Sequence, residues 1–219
     1  MKNIGCILVL CILIIPKAQS QSPWYASYGG EMLFSFADID DHGQQGNSLM
    51  RWAPVLNIYT YANKDLSEHL GFYAGLSVLN VGYIYDGYTN PGNQVTYKKK
   101  FRTYNLAIPV GLKVGNLDNV FVFAGYSVEF PFVYKEKTFD GGDKIGKITG
   151  WFSNRPEPVQ HGFHVGMQLP EGLTINFKYY VSEFHNQDFA DGMGLKPYEG
   201  LESHIFYFSL SYKMLSRWF

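Results

Sequence analysis

Leu173-Thr174-Ile175-Asn176-Phe177-Lys178-Tyr179-Tyr180-Val181-Ser182 sorts its side chains by parity. The odd positions are apolar, and the even ones carry Thr, Asn, Lys, Tyr and Ser. Alternation with period two makes an extended strand with two unlike faces, whereas a helix would need matches at i, i+3 and i+4. The same rule runs outward from this stretch. In 205–214, Phe206, Phe208, Leu210, Tyr212 and Met214 oppose Tyr207, Ser209, Ser211 and Lys213. Near the start, Met32, Phe34 and Phe36 oppose Glu31, Leu33 and Ser35. Tyr104, Leu106, Ile108, Val110, Leu112 and Val114 share one face, as do Val120, Val122, Ala124, Tyr126, Val128 and Phe130.

Extended along the chain, the rule predicts eight strands at 28–38, 50–62, 69–85, 98–114, 118–135, 158–169, 172–186 and 203–215. The third blurs at 79–85, where Gly82 suggests a bulge. Connections at 39–49, 86–97, 136–157 and 187–202 are long and rich in Gly, Asp and Asn, while those at 62–68, 115–117 and 170–171 are short. Long and short connections thus alternate strictly, which is the asymmetry of a membrane barrel with tight turns on one side and long loops on the other. An even strand number puts both termini on the short-turn, periplasmic side.

The first twenty residues read differently. Lys2 precedes an apolar run over 4–15, Pro16 ends it, and Ala18-Gln19-Ser20 supplies a small-x-small cleavage site. The expected division is a signal peptide at 1–20 and a barrel domain at 21–219. Both cysteines, Cys6 and Cys11, fall in the leader, so the mature chain offers no disulfide, thiolate nucleophile or cysteine metal ligand. Removing the leader takes Lys2 and Lys17 and no acid, leaving 16 basic against 19 acidic residues and a charge of −3. That balance argues against a nucleic-acid partner. The chain is 17% aromatic and only 17% charged, against about 25% charged in soluble domains. No second apolar run is long enough for a transmembrane helix.

In hydrocarbon every backbone polar group needs a partner within the protein, so a sheet survives there only when closed. The expected fold is all-β: a closed, eight-stranded, antiparallel up-and-down transmembrane barrel, apolar face toward lipid and mixed face inward. Eight strands leave an interior that side chains fill, so a plugged lumen is expected. Its charges would be Glu31, Arg51, Lys113, Glu129, His164, Lys178 and Lys213, and burial requires them to pair or be hydrogen-bonded. Trp24, Tyr25, Tyr28, Trp52, Tyr85, Trp151 and Trp218 fall near strand ends and suit aromatic girdles. The closing Ser216-Arg217-Trp218-Phe219 resembles the C-terminal aromatic signal of outer-membrane barrels.

Tyr104-Asn105-Leu106-Ala107-Ile108-Pro109-Val110-Gly111-Leu112-Lys113 resembles the Tyr-x-Leu-x-Ile-Pro strand of the PorT-like outer-membrane β-barrel proteins of Bacteroidota. Phe123-Ala124-Gly125-Tyr126 is similar to the next strand of that family, with Tyr126 in place of its usual Pro. The segments 162–166 and 172–180 look like its closing hairpin. The resemblance implies an OmpA-like or OmpX-like barrel in the outer membrane and supplies no catalytic residues.

The function expected is therefore non-enzymatic: a plugged barrel in outer-membrane lipid that binds another envelope or surface protein, or supports envelope assembly, through its outer loops. No catalytic, cofactor-binding or metal residues are assigned, and no cofactor is expected. Two alternatives use the same strands. One is a lipid- or lipopolysaccharide-modifying enzyme. For it, Asp38, Asp40, Asp41 and His42 of the first long loop would meet His185, Asp188, Asp191 and His204 of the last, giving a hydrolytic or divalent-metal cluster. The other is a soluble lipocalin-like carrier, which would need the apolar face inside.

Overall fold

A computed structural model of the chain describes residues 23–89 and 95–218, with side chains as far as Lys213. The leader, its two cysteines, the cleavage site at Ser20, the terminal aromatic signal and the side chain of Trp218 lie outside the described residues. The described residues form twelve strands: β1 (Tyr25–Asp41), β2 (Gln44–Gln45), β3 (Asn47–Leu49), β4 (Arg51–Ala53), β5 (Ile58–Asp65), β6 (Leu70–Thr89), β7 (Thr96–Gly115), β8 (Phe121–Asp140), β9 (Asp143–Trp151), β10 (Gln160–Gln168), β11 (Leu173–Tyr180) and β12 (Leu201–Trp218). Helical structure among the described residues is confined to one 3-10 turn, Pro170–Gly172. Antiparallel pairing runs β10-β11-β12-β1-β5-β6-β7-β8, and β8 pairs with β10 again, so eight strands form a ring. The remaining four extend its staves: β2 and β4 pair with β1, β3 with β6, and β9 with β8. The start of β1, the end of β12 and the short turns after β5, β7 and β10 share one end of the ring. The longer connections and the β8–β9 hairpin share the other, the loop end.

The faces fall as the alternation requires. Leu106, Ile108, Val110, Leu112 and Val114 point outward and are 41–57% exposed, as are Leu173, Ile175, Phe208, Leu210 and Tyr212. Inside, Arg51, Lys113, Glu129, His164 and Lys178 are each 8% exposed or less. Apolar groups outside and charges inside is the polarity of a barrel in lipid, and the reverse of the lipocalin-like alternative.

Four departures from the sequence reading have local physical causes. The strand expected at 50–62 is broken between β4 and β5, because Pro54 has no N–H to give a ladder and Leu56 adopts a φ of 62°. Asn57 closes the gap: its Nδ2 donates to Ala53 O at 2.7 Å, and its Oδ1 accepts from Asn80 N at 2.7 Å. The loop expected at 136–157 is largely a hairpin. There β8 continues to Asp140, turns at Gly141-Gly142 with φ of 54° and 100°, and returns as β9. The strand expected at 172–186 stops at Tyr180, beyond which the chain leaves the ring wall. Gly82 marks a close approach without a bulge. Ser35 Oγ donates to its carbonyl at 2.6 Å, and a Cβ there would meet Phe101 O at 2.1 Å, while the register slips only at Asp86/Tyr88.

Candidate functional site

The interior is layered along the ring axis, and each layer grows from inward positions of several strands. Nearest the short-turn end, Lys113 of β7 donates to Asp65 at 2.6 Å and to Tyr25 Oη at 2.7 Å. Tyr25 therefore points inward, a correction to its expected place in a girdle. Next comes a cavity of about 100 Å³, whose lining includes the polar side chains of Glu31, Tyr61, Tyr73, His164, Asn176 and Lys213 beside Leu79, Phe121 and Phe123. Tyr73 Oη and His164 Nε2 lie 2.5 Å apart on its wall. That volume holds a few waters.

The middle layer centres on Glu129 of β8, whose surface is fully buried. Its carboxylate accepts from Lys178 Nζ, from Tyr180 Oη at 2.9 Å and from Asn105 Nδ2 at 2.8 Å. Lys178 also donates to Ser127 Oγ, and Asn105 to Gln160 Oε1 at 2.8 Å. Arg51 is held separately, donating to the backbone carbonyl of Asn80 at 3.0 Å and to its side-chain oxygen. Of the seven lumen charges expected, Glu31, Lys113, His164, Lys178 and Lys213 line the cavity, while Glu129 and Arg51 are packed outside it. Among the described residues one ion pair joins two of the seven, Lys178 with Glu129, while Lys113 pairs with Asp65, which the expected set did not include, and Arg51 rests on the neutral Asn80.

The loop-end layer is one that the sequence reading missed. Residues 181–200 fold back into the mouth of the ring, burying Phe184, His185 and Tyr198 to 2% exposure or less. His185 Nε2 lies 2.9 Å from Tyr83 Oη, and its ring stacks on Tyr198 with centroids 4.3 Å apart. Tyr198 Oη donates to Glu136 Oε2 at 2.9 Å and accepts from Arg155 Nη1 at 2.9 Å. Glu136 also receives Lys99 Nζ at 2.7 Å and Tyr134 Oη at 2.9 Å. Burial holds the His185 imidazole down to about 3, with Lys99 and Arg155 acting the same way and Glu136 against them. The neutral ring therefore persists across ordinary pH. Burial and the Glu136 carboxylate push the Tyr198 phenol up. The available signal was the even parity that Phe184 shares with the inward positions of 174–182; for Tyr198, in the connection after the strand, alternation supplies none.

The rim clusters meet only in part. The first and last long connections do touch, through His42 N donating to Gly200 O at 2.8 Å. On the outer surface Asp38 faces His204 and Asp40 faces Glu202 across the β1–β12 ladder. His42 Nδ1 pairs instead with Asp41 at 2.8 Å, and His185 lies inside the mouth. Asp188 is ion-paired with Lys196 at 3.6 Å, and Asp191 caps the backbone of Met193 and Leu195. Among the described residues, no group of three or more His, Cys, Asp or Glu side chains is placed to hold a metal ion. Tyr85 also departs from the girdle. It is buried and donates to Asp41 Oδ2 at 2.8 Å, whereas Trp24, Tyr28, Trp52 and Trp151 lie on the outer surface.

Among solved structures, the chain is similar to Ail, the attachment invasion locus protein of Yersinia pestis, in complex with the heparin analogue sucrose octasulfate. Identity is 8%, with 88% of this chain and 100% of that one covered and a TM-score of 0.41. It is also similar to Neisserial surface protein A (11% identity, 90% and 100% covered, TM-score 0.37) and to OprG of Pseudomonas aeruginosa (8%, 90% and 98%, 0.36). No curated protein matches it by sequence. The sequence model of one family matches residues 17–186, most of the chain. With that match joined to a ring of strands that is apolar outside and charged within, the chain belongs to the outer membrane protein beta-barrel domain family.

Proposed function

We propose that this chain is a closed, up-and-down transmembrane barrel of eight strands, of the PorT-like kind, that acts at the cell surface by binding, without conduction or catalysis. In this reading residues 1–20 are removed on export, the termini and short turns lie in the periplasm, and the loop end faces outward. The PorT-like kinship rests on the Tyr104–Lys113 strand and the two patches beside it. The single observation that carries the plugged, binding role is the return of 181–200 into the mouth. Phe184, His185 and Tyr198 seal the lumen above the Glu129–Lys178 layer. The same segment leaves Met193 82% and Leu195 60% exposed beyond the seal. Exposed apolar side chains on a loop are a feature of interaction surfaces, and another envelope or surface protein is the partner class that fits. The expected rim cluster does not assemble as one group: His42 pairs with Asp41 and His185 lies inside, while Asp38 and His204 face each other.

Two measurements on the full chain test this. In planar bilayers the refolded protein is expected to give no sustained channel currents; a stable open conductance would overturn the plugged lumen. A photocrosslinker at Met193 in intact cells is expected to capture an envelope protein that the same crosslinker at Ile175, on the lipid face, does not. Equal capture at both positions would count against a binding loop end.

A further inference from the structure

Above the lipid-facing belt, the outward face of β7, β8 and β9 changes character over one step of the ladder. Leu106 and Phe130 are the last apolar residues of the belt on β7 and β8. Over them lies an aromatic row in which Tyr104, Phe132 and Trp151 follow one another with centroids 6.5 and 6.2 Å apart. The next outward rung pairs Arg102 with Lys135, and the one after it aligns Lys100, Lys137 and Lys147 across all three strands. The first rung leans back onto the row: the Arg102 guanidinium and Lys135 Nζ lie 5.7 and 5.1 Å from the Tyr104 ring. Among the described residues no carboxylate is ion-paired with any of these five; the nearby pair is Asp86 with Lys98, one rung higher. Like charges set directly opposite each other on a sheet destabilise it, so the Lys100–Lys137–Lys147 rung stands against its own repulsion.

Position identifies what would neutralise it. A strand rises about 3.3 Å per residue and tilts by roughly 40°, so the two rungs stand about 5 and 10 Å above the aromatic row. A headgroup layer is about 5–7 Å deep outside the hydrocarbon, so the first rung lies within it, and Lys100, Lys137 and Lys147 stand just above it, from where their long flexible stems reach back to its phosphates. The cations point away from the barrel axis, on the same face that meets acyl chains below, so the anions beside them belong to the surrounding lipid. We infer that the Arg102–Lys135 and Lys100–Lys137–Lys147 rungs form a binding site for the phosphate groups of outer-leaflet lipid headgroups, lying over the aromatic row of β7, β8 and β9. The inference rests on the membrane-barrel reading above and adds a ligand class to a face that reading leaves unassigned. A second copy of the chain offers a competing occupant, since Asp38, Asp40 and Glu202 face outward at the loop end of β1 and β12.

The test uses the full chain folded in uncharged detergent and measures retention of diphosphorylated lipid A after gel filtration. The triple variant K100Q/K137Q/K147Q is expected to retain less by on the order of ten-fold. The single variant K147Q, on the exposed edge of the hairpin, should show a smaller loss in the same direction without risk to the ring. Phosphate-free lipid A should bind wild type no better than diphosphorylated lipid A binds the triple variant. Inorganic phosphate at matched concentration should fail to displace the lipid. Unchanged retention by a folded triple variant would overturn the inference, as would full displacement by inorganic phosphate. Loss of an oligomer in both the triple variant and D40N/E202Q, with lipid retention unaltered, would assign the face to a second copy and overturn it too. Failure of the underlying reading looks different: the protein would then stay monodisperse without any detergent.

Discussion

Glu129 and Lys178 show what a side chain must satisfy to be charged in the middle of this ring. Taking both ions out of water is costly, and their attraction offsets that only when the remaining hydrogen-bond capacity is also met. Tyr180, Asn105 and Ser127 meet it here. Removing one member strands the other, so Lys178→Met should destabilise the folded state by about 3–5 kcal/mol. The double variant Glu129→Leu/Lys178→Met should recover most of that loss, because an apolar pair replaces an ion pair without leaving a buried charge. Urea titration in detergent micelles reads both; equal damage in the single and double variants would show that the pair does not act as a unit. Parity placed these two residues on the inner face, and burial then required a partner for each. Which partner each takes was not legible, because cross-strand neighbours depend on register, and register on turns whose geometry a single sequence leaves open.

Among the elements, the segment 181–200 is the one that period-two reading could not supply. Alternation reports which side of a wall a residue faces, and it is silent once the chain leaves the wall. His185 therefore read as a rim residue, whereas its ring is stacked on Tyr198 inside the mouth. A second miss has the opposite origin. Pro54 was a visible strand breaker inside 50–62, and the bridging role of Asn57 follows from the gap it leaves. The docked segment carries an acid sensitivity of definite sign. His185 sits near 6.5 when unfolded and at about 3 when docked, so the undocked form binds more protons at intermediate pH. The stability of docking is complete above the higher value and falls as pH drops from there toward the lower. At about pH 5 the loss is roughly 2 kcal/mol. Hydrogen exchange or limited proteolysis of 186–197 should accelerate between pH 7 and about pH 5 in wild type, and stay flat in His185→Phe. Acceleration of the same size in His185→Phe would place the sensitivity elsewhere.

The whole molecule depends on the direction of its polarity. Sequence made that direction legible from Leu173 to Ser182 onward, since one stripe is uniformly apolar and the other holds the charges. Strand number and the alternation of long with short connections then left a ring as the arrangement that satisfies every backbone group in lipid. Heights along the axis were less legible. The β8–β9 hairpin rises well past the belt because its turn lies at Gly141-Gly142, and composition had marked the whole stretch as loop. The most direct test is a nitroxide scan along β7 from Tyr104 to Val114 in reconstituted vesicles, reading collision with oxygen, which concentrates in the acyl layer. The expected result is strict alternation, with 106, 108, 110 and 112 readily reached and 105, 107 and 113 shielded. Shielded even positions, or a protein that stays dispersed in water without detergent, would contradict an outward apolar face.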